Sequence, residues 1–375
     1  MILRTEDLKD VCSKILFAVD SNELSTITET LELKTNNQNL LISVTNREYY
    51  AQVKLPIDTD EQLHATVNAN LFLKLVAQFT TETIELTISG NSLKVKGNGT
   101  YTIPLIFDDD KLLELPEIKI NNVTKEFKVS SSILKSILMY NSKQLTQGTI
   151  SKPVQKLYYV DELGAITFTT GACVNSFSLP EPMKILLNNR IVKLFKLFKD
   201  GDVNFQLGYD ALTEEIIQTK VNFSTDTISI TAIISCDDTL LNSVPTAAIR
   251  GRATATYPYS VNISKDELIQ TINRLLLFRT NSNGKEVVKL YSTFEFGKDS
   301  VTIYDVNKTN KEVIYYSNTT LELDENYVAV LDLLDMKATL DNCVEPYLTI
   351  NFGNNTAIVI ARGNVRNVVP ECKVN

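Results

Sequence analysis

Apolar positions along the chain switch between two spacings, and the switches fall in a recurring order. Leu8, Val11, Ile15 and Val19 recur at helical spacing across 6–19 (EDLKDVCSKILFAV), and short alternating runs follow at 31–33, 40–45 and 49–55. A second helical pattern at 69–79 (ANLFLKLVAQF) leads into alternating runs at 83–89, 92–96 and 101–105. After an acidic, proline-marked connector at 108–117 the order restarts with a strand at 126–129, a helix at 131–141 (SSILKSILMYN) and strands at 156–160, 165–169 and 173–179. A helix at 188–199 and strands at 203–207, 215–221 and 228–234 complete that round. A second connector at 237–257 carries Pro245 and an unpaired basic cluster, Arg250 and Arg252. The third round predicts a strand at 259–263, a helix at 265–278 and strands at 286–291, 300–305 and 312–317. It closes with a helix at 325–337 (ENYVAVLDLLDMK) and a hairpin over 347–352 and 355–361.

Three rounds of about 125 residues, each reading helix, three strands, helix, three strands, predict an α+β chain of three tandem domains. Their borders are expected at 1–122, 123–248 and 249–375. Each domain would pack two amphipathic helices on antiparallel sheets, so the outer helix faces decide what the molecule can touch.

The stretch 188–201 (NNRIVKLFKLFKDG) shows what such a face offers. At 100° per residue Ile191, Leu194, Phe195 and Phe198 fall within an arc of about 100°, while Arg190, Lys193, Lys196 and Lys199 spread over the other side. A solvated helix usually mixes Glu with Lys, yet this one has no acid before Asp200. The same phase argument selects Lys14, Lys74, Lys135 and Arg274 on the other helices, and only the sixth lacks the basic lean.

Charge turns this into a question about partners. The 375 residues hold 45 acids against 37 Lys and Arg, a net charge of −8, so nucleic acid would be repelled unless the cations are segregated on such faces. With 43% hydrophobic and 22% charged residues the composition is globular. No signal core follows Met1 and no apolar run approaches the ~20 residues of a membrane span, so a cytosolic, cytoplasmic protein is expected. Five cysteines without a C-x-x-C spacing and a single His64 cannot complete a zinc set, and free thiols are expected.

Catalytic chemistry finds no foothold. There is no G-x-x-x-x-G-K-[ST] loop, Gly97-Asn98-Gly99 sits between strands, and His64 reads as part of a polar loop. Asp108-Asp109-Asp110 lies in a connector and reads as solvated. No catalytic residue, metal or cofactor is predicted. Two other classes stand beside a binding protein: a structural component, such as a virion protein, and a carbohydrate-active enzyme with paired carboxylates, against which the absence of Trp argues.

In length and in all three repeats the chain resembles the bacterial DNA polymerase III β sliding clamp, the processivity subunit of the replicative polymerase, in a diverged version that a phage could encode. The landmarks are Val67-Asn68-Ala69 opening the second helix, Thr169-Thr170-Gly171 after a strand of the second repeat, and Val368-Val369-Pro370 at the C-terminus. The resemblance implies a head-to-tail homodimer whose six domains close a ring, with sheets outside and helices lining a hole for duplex DNA. Phosphate-only, sequence-independent contact would let the ring slide. Lys14, Lys74, Lys135, Arg190, Lys193, Lys196, Lys199 and Arg274 would face the DNA.

The family also has a hydrophobic cleft between domains two and three that captures short motifs of the polymerase, the clamp loader ATPase and repair proteins. Its walls resemble Thr169, Gly171, Ala172, Cys173 and Val174, then Leu240, Val244 and Pro245, and Val369, Pro370 and Glu371 of the tail. This chain departs from the family's Asp-Gly-His-Arg turn, with Thr170-Gly171-Ala172-Cys173 there, and from its Met-rich tail, with Pro370-Glu371-Cys372.

Overall fold

The computed structural model describes residues 1–20, 26–142, 152–211, 213, 217–278, 290–317 and 319–372. Its helices are α1 (Thr5–Ile15), α2 (Ala69–Gln78), α3 (Ser131–Asn141), α4 (Asn189–Lys193), α5 (Asp238–Asn242), α6 (Thr246–Thr254), α7 (Lys265–Leu275) and α8 (Leu333–Asp341). Two expected strands begin outside the described residues. The one at 286–291 is described only as Tyr291–Phe296, and the one at 215–221 as Ile217–Ser224.

The repeating block differs from the alternation reading by one strand. α1, α2, α3, α4, α7 and α8 each follow directly on a strand, namely Ile2–Arg4, His64–Asn68, Asn122–Ser130, Lys184–Asn188, Tyr259–Ser264 and Tyr327–Asp332. Each is then followed by three more strands. Short polar side chains at several of these junctions explain the switch. Asn68 accepts from Leu71 N at 2.9 Å, Ser264 from Glu267 N at 3.4 Å and Asp332 from Leu334 N at 2.8 Å, each satisfying a helix-start amide. The helix expected at 325–337 is thus a strand that turns into α8 at Asp332. His64 also lies in a strand, with Nε2 2.9 Å from Glu32 Oε1.

By its internal contacts the chain divides into two compact units, residues 1–134 with 190–235, and 135–189 with 236–375. The cut runs through the second repeat because sheets continue across the repeat borders. In the first unit the eight-stranded sheet runs 122–130, 202–211, 217–224, 228–234, 49–56, 39–45, 30–36, 64–68, and Ile228, Ile230 and Ala232 pair with Val53, Ala51 and Tyr49. A four-stranded sheet of 2–4, 83–89, 92–96 and 100–104 accompanies it. In the second unit the eight-stranded sheet runs 184–188, 157–161, 164–168, 172–176, 365–370, 357–362, 347–352, 259–264, with Ala172 opposite Val368 and Val174 opposite Arg366. Its companion holds 311–315, 300–304, 291–296 and 327–332.

The cores follow from the apolar stripes. α1 buries Leu8, Val11, Cys12 and Ile15 and packs beside α2, which buries Phe72, Leu73 and Val76. The lysine-rich segment buries Ile191, Val192, Leu194, Phe195, Leu197 and Phe198. Phe195 meets Phe223 edge-on at 4.9 Å, and Phe223 meets Phe205 at 5.3 Å. Phe195→Ala is expected to lower stability by about 3–5 kcal/mol, a loss checked by urea unfolding, because a fully enclosed ring leaves a cavity that neighbours cannot refill. In the second unit Phe296 and Phe352 stack at 4.0 Å amid Leu268, Ile272, Met336 and Leu340.

Candidate nucleic-acid interface and peptide cleft

The segment expected as one long helix is shorter. α4 ends at Lys193 and a 3-10 turn, Leu194–Leu197, takes over before Gly201, at φ +86°, ends the element. Three residues per turn change the consequence of the sequence, because side chains at i and i+3 then eclipse. Lys193 and Lys196 therefore stack on one exposed edge, and Lys199 is exposed just beyond the turn. Among the described residues neither Lys193 nor Lys196 has a carboxylate within ion-pair distance. Lys196 Nζ instead lies 5.7 Å from the centre of the Phe17 ring.

The other candidate cations divide by their partners. Lys74 is exposed near the middle of α2, and Lys135 is exposed on α3. Lys14 is partly covered and pairs with Asp10 one turn back. Arg190 reaches Glu48 at 3.1 Å and Asp20 at 3.7 Å, so it ties the chain after α1 to a neighbouring strand connection. Arg274 forks onto Glu312, with Nε 2.7 Å from Oε1, and Thr271 donates to the same carboxylate. That fork holds the Glu312 carboxyl below its usual range. All eight are at least partly exposed, as their helical phase requires. The partners of Arg190 and Arg274 are not visible in the sequence because Asp20, Glu48 and Glu312 lie far from them along the chain.

In the second unit Ala172, Val174, Val244 and Leu240, of the residues expected to wall a cleft, meet in one apolar layer. Tyr159, Ile166, Phe168, Ala172, Val174, Leu186, Ala357, Val359 and Val368 present one sheet face, and Val244, Ile249 and Ala253 lie over it. The connector at 237–257, for which no element is expected, supplies that cover as α5 and α6. Asp237 caps α5 by accepting from Leu240 N at 2.8 Å. Arg250 is not part of an unpaired cluster, for it grips the buried Asp161 with two bonds of 2.7 and 2.6 Å, fixing α6 to strand 157–161. Leu240 and Leu241 remain half-buried at the rim, and Pro245 is exposed.

Strand alternation sorts the remaining wall residues. Ala172 and Val174 face the layer, so Cys173 between them points to the other face, where its thiol donates to Tyr140 O at 3.1 Å. Burial pushes that thiol up to about 12. Likewise Val368 joins the layer while Val369 enters the core of the third repeat. Cys173 and Val369 thus pack away from the layer, and Val368, beside Val369, is the tail residue that faces it. Thr169 and Gly171 are buried in the turn before the strand, closed by a 2.8 Å bond from Thr169 N to Gly171 O. Pro370 pairs with Ala357. Glu371 accepts the Tyr327 hydroxyl at 2.8 Å, and burial raises its carboxyl above the usual range. An open pocket of about 380 Å³ beside the layer is lined by Ala253, Tyr257, Asn351, Val359 and Arg366.

Other chemistry is sparse. Among the described residues no group of three His, Cys, Asp or Glu side chains could hold a metal ion, and no helix is long and apolar enough to cross a membrane. The cysteines are free thiols, with Cys12, Cys173 and Cys343 buried.

Six strand-helix-strand blocks joined through shared sheets define a three-repeat DNA-clamp fold. Among solved structures it is the fold of the bacterial DNA polymerase III β subunit. The subunit from Pseudomonas aeruginosa superposes with a TM-score of 0.77 at 13% identity, covering 100% of both chains. Those of Streptococcus pneumoniae (0.76, 12%) and Thermotoga maritima (0.74, 14%) cover 100% of this chain and 99% of theirs. In sequence the chain is 26% identical over 122 residues to the beta sliding clamp of Mycoplasmopsis pulmonis, a stretch spanning 32% of this chain and 31% of that relative. No family model matches. The resemblance drawn from the repeats is borne out at the level of fold.

Proposed function

We propose that the protein is a DNA polymerase processivity factor, a sliding clamp that closes around duplex DNA and tethers a replicative polymerase through an apolar cleft. One observation carries the reading. The six blocks form six four-stranded arrays, each joining the three later strands of one block to the first strand of the other block in its repeat and carrying the block's last strand at one edge. Four of those last strands pair off within the chain, 49–56 with 228–234 and 172–176 with 365–370. The two left over are Thr100–Pro104 and Lys311–Tyr315, which expose Tyr101, Val313 and Tyr315. Both internal pairs join the first half of one repeat to the second half of the neighbouring repeat. The leftover strands stand in that same relation, so a second copy, head to tail, completes the series. An open strand edge with apolar side chains is a template for such pairing.

Lys193, Lys196 and Lys74 then supply non-specific phosphate contact, with Lys14, Lys135 and Lys199 beside them, while the net acidic remainder repels DNA from other surfaces. Arg190 and Arg274, held by carboxylates, contribute less. The cleft layer at Ala172, Val174, Val244 and Val368, with Leu240 and Leu241 at its rim, would take short apolar motifs from the polymerase and from a clamp-loading ATPase. Such a protein acts by topology and needs no catalytic group.

Primer extension on a closed circle tests the proposal, with longer products per binding event expected when the protein is loaded. Unchanged product lengths would refute it. Leu240→Asp with Leu241→Asp is expected to reduce that stimulation about tenfold or more while leaving the solution mass unaltered. Trimming the tail after Asn367 is a poorer probe, because it removes Val369 from the core.

A further inference from the structure

We infer that the turn Leu16–Ala18 and the lysine edge beside it form a binding surface for single-stranded nucleic acid, on which Phe17 stacks against an unpaired base. The inference rests on the proposed function only in taking this side of the first unit to meet DNA. Leu16 and Phe17 are 48% and 53% exposed, in a turn that packs against the 3-10 turn bearing Lys196. The turn is held in place from behind. Tyr49 Oη donates to Ala18 O at 2.7 Å, Asn46 Nδ2 to Asp20 at 3.4 Å, and Arg190 adds its contact with Asp20.

Charge identifies the occupant. Lys196 lies over one side of the ring, Lys193 stands one turn before it, and neither is neutralised by a carboxylate among the described residues. Lys14 and Lys199 line an adjoining cleft of about 400 Å³, although Asp200 and Asp226 also line it and Lys14 is paired with Asp10. A polyanion with accessible apolar faces fits such a surface. Duplex DNA hides its base faces in the stack and would offer the ring only sugar and phosphate. An unpaired strand offers both a base face and a phosphate, the combination on which sequence-tolerant single-strand binders rely. The third repeat exposes a similar pair, Leu277 and Phe278, but Arg274 beside it is bound to Glu312, so among the described residues that pair has no free cation of its own.

The test is fluorescence anisotropy of the full chain with labelled dT20, rU20 and a blunt 20-base-pair duplex, for the wild type, Phe17→Ala and Phe17→Trp. Phe17→Ala is expected to weaken single-strand binding about tenfold, with duplex binding changed less than about twofold and Phe17→Trp restoring the loss. The stronger of the two oligonucleotides names the strand type. The half-exposed ring makes unfolding an unneeded explanation, and an unchanged thermal melt checks this. Equal losses on single strand and duplex would overturn the inference. So would unchanged dT20 and rU20 binding, which would leave the patch to a protein partner. A ring-less protein that still binds single strands through Phe17 would sink the clamp reading and leave this one standing.

Discussion

Reversing both charges with Lys193→Glu and Lys196→Glu is expected to lower duplex affinity by about 100-fold at 0.1 M salt and to flatten its salt dependence by about two contacts. The two ammonium groups stand on one exposed edge with no carboxylate to neutralise them, so each can replace condensed counterions on a phosphate. Folding should be unaffected, since the adjacent positions Leu194, Phe195 and Leu197 carry the packing. Arg274→Glu is the informative contrast. Its guanidinium already serves Glu312, and its reversal should cost far less DNA affinity. Salt titrations of duplex binding for the three proteins check this, and equal losses would mean that helical exposure alone, and not the ion-pair pattern, decides which cations act.

The second large effect is expected at the unpaired strand edges. Val313→Lys with Tyr315→Lys should convert the assembly to monomers at micromolar concentration, an increase in dissociation constant of roughly 100-fold or more, read by light scattering. Both side chains lie on Lys311–Tyr315, and Tyr315 is 71% exposed, so neither supports the fold of its own repeat. A variant of unchanged mass would place the contact between copies elsewhere. A wild type that is monomeric at that concentration would argue against ring closure by these edges.

Much of the fold could be read from the order of spacings, because three copies of one pattern reinforce each other where a single copy would be ambiguous. The strand before each helix was harder to read. Lys184–Asn188 (KILLN) is buried on both faces, so it does not alternate. Tyr327–Asp332 runs without a break into α8, and its apolar residues fit a helical stripe as well as a strand; pairing with Tyr291–Phe296 decides the matter. α6 is not legible in the sequence because TAAIRGRAT carries almost no amphipathic stripe.

The sites show the same division between local and distant information. Helical phase is local, and it placed the candidate cations on exposed or partly exposed positions. Their neutralisation depends on Glu48, Asp20 and Glu312, which no periodicity connects to them. In the cleft, a family landmark marks a run of residues, whereas a strand admits only every second one to a given face. Val174 and Val368 therefore face the apolar layer proposed as a cleft, and Cys173 and Val369 face away from it.

The most direct measurement is the lifetime of the loaded protein on a closed circular plasmid, compared before and after a single restriction cut, in salt high enough to suppress simple phosphate binding. A ring that surrounds DNA without gripping it stays on the circle and slides off the linear ends, so the cut should release it within minutes. Equal retention on circle and line, or none on either, would contradict the account.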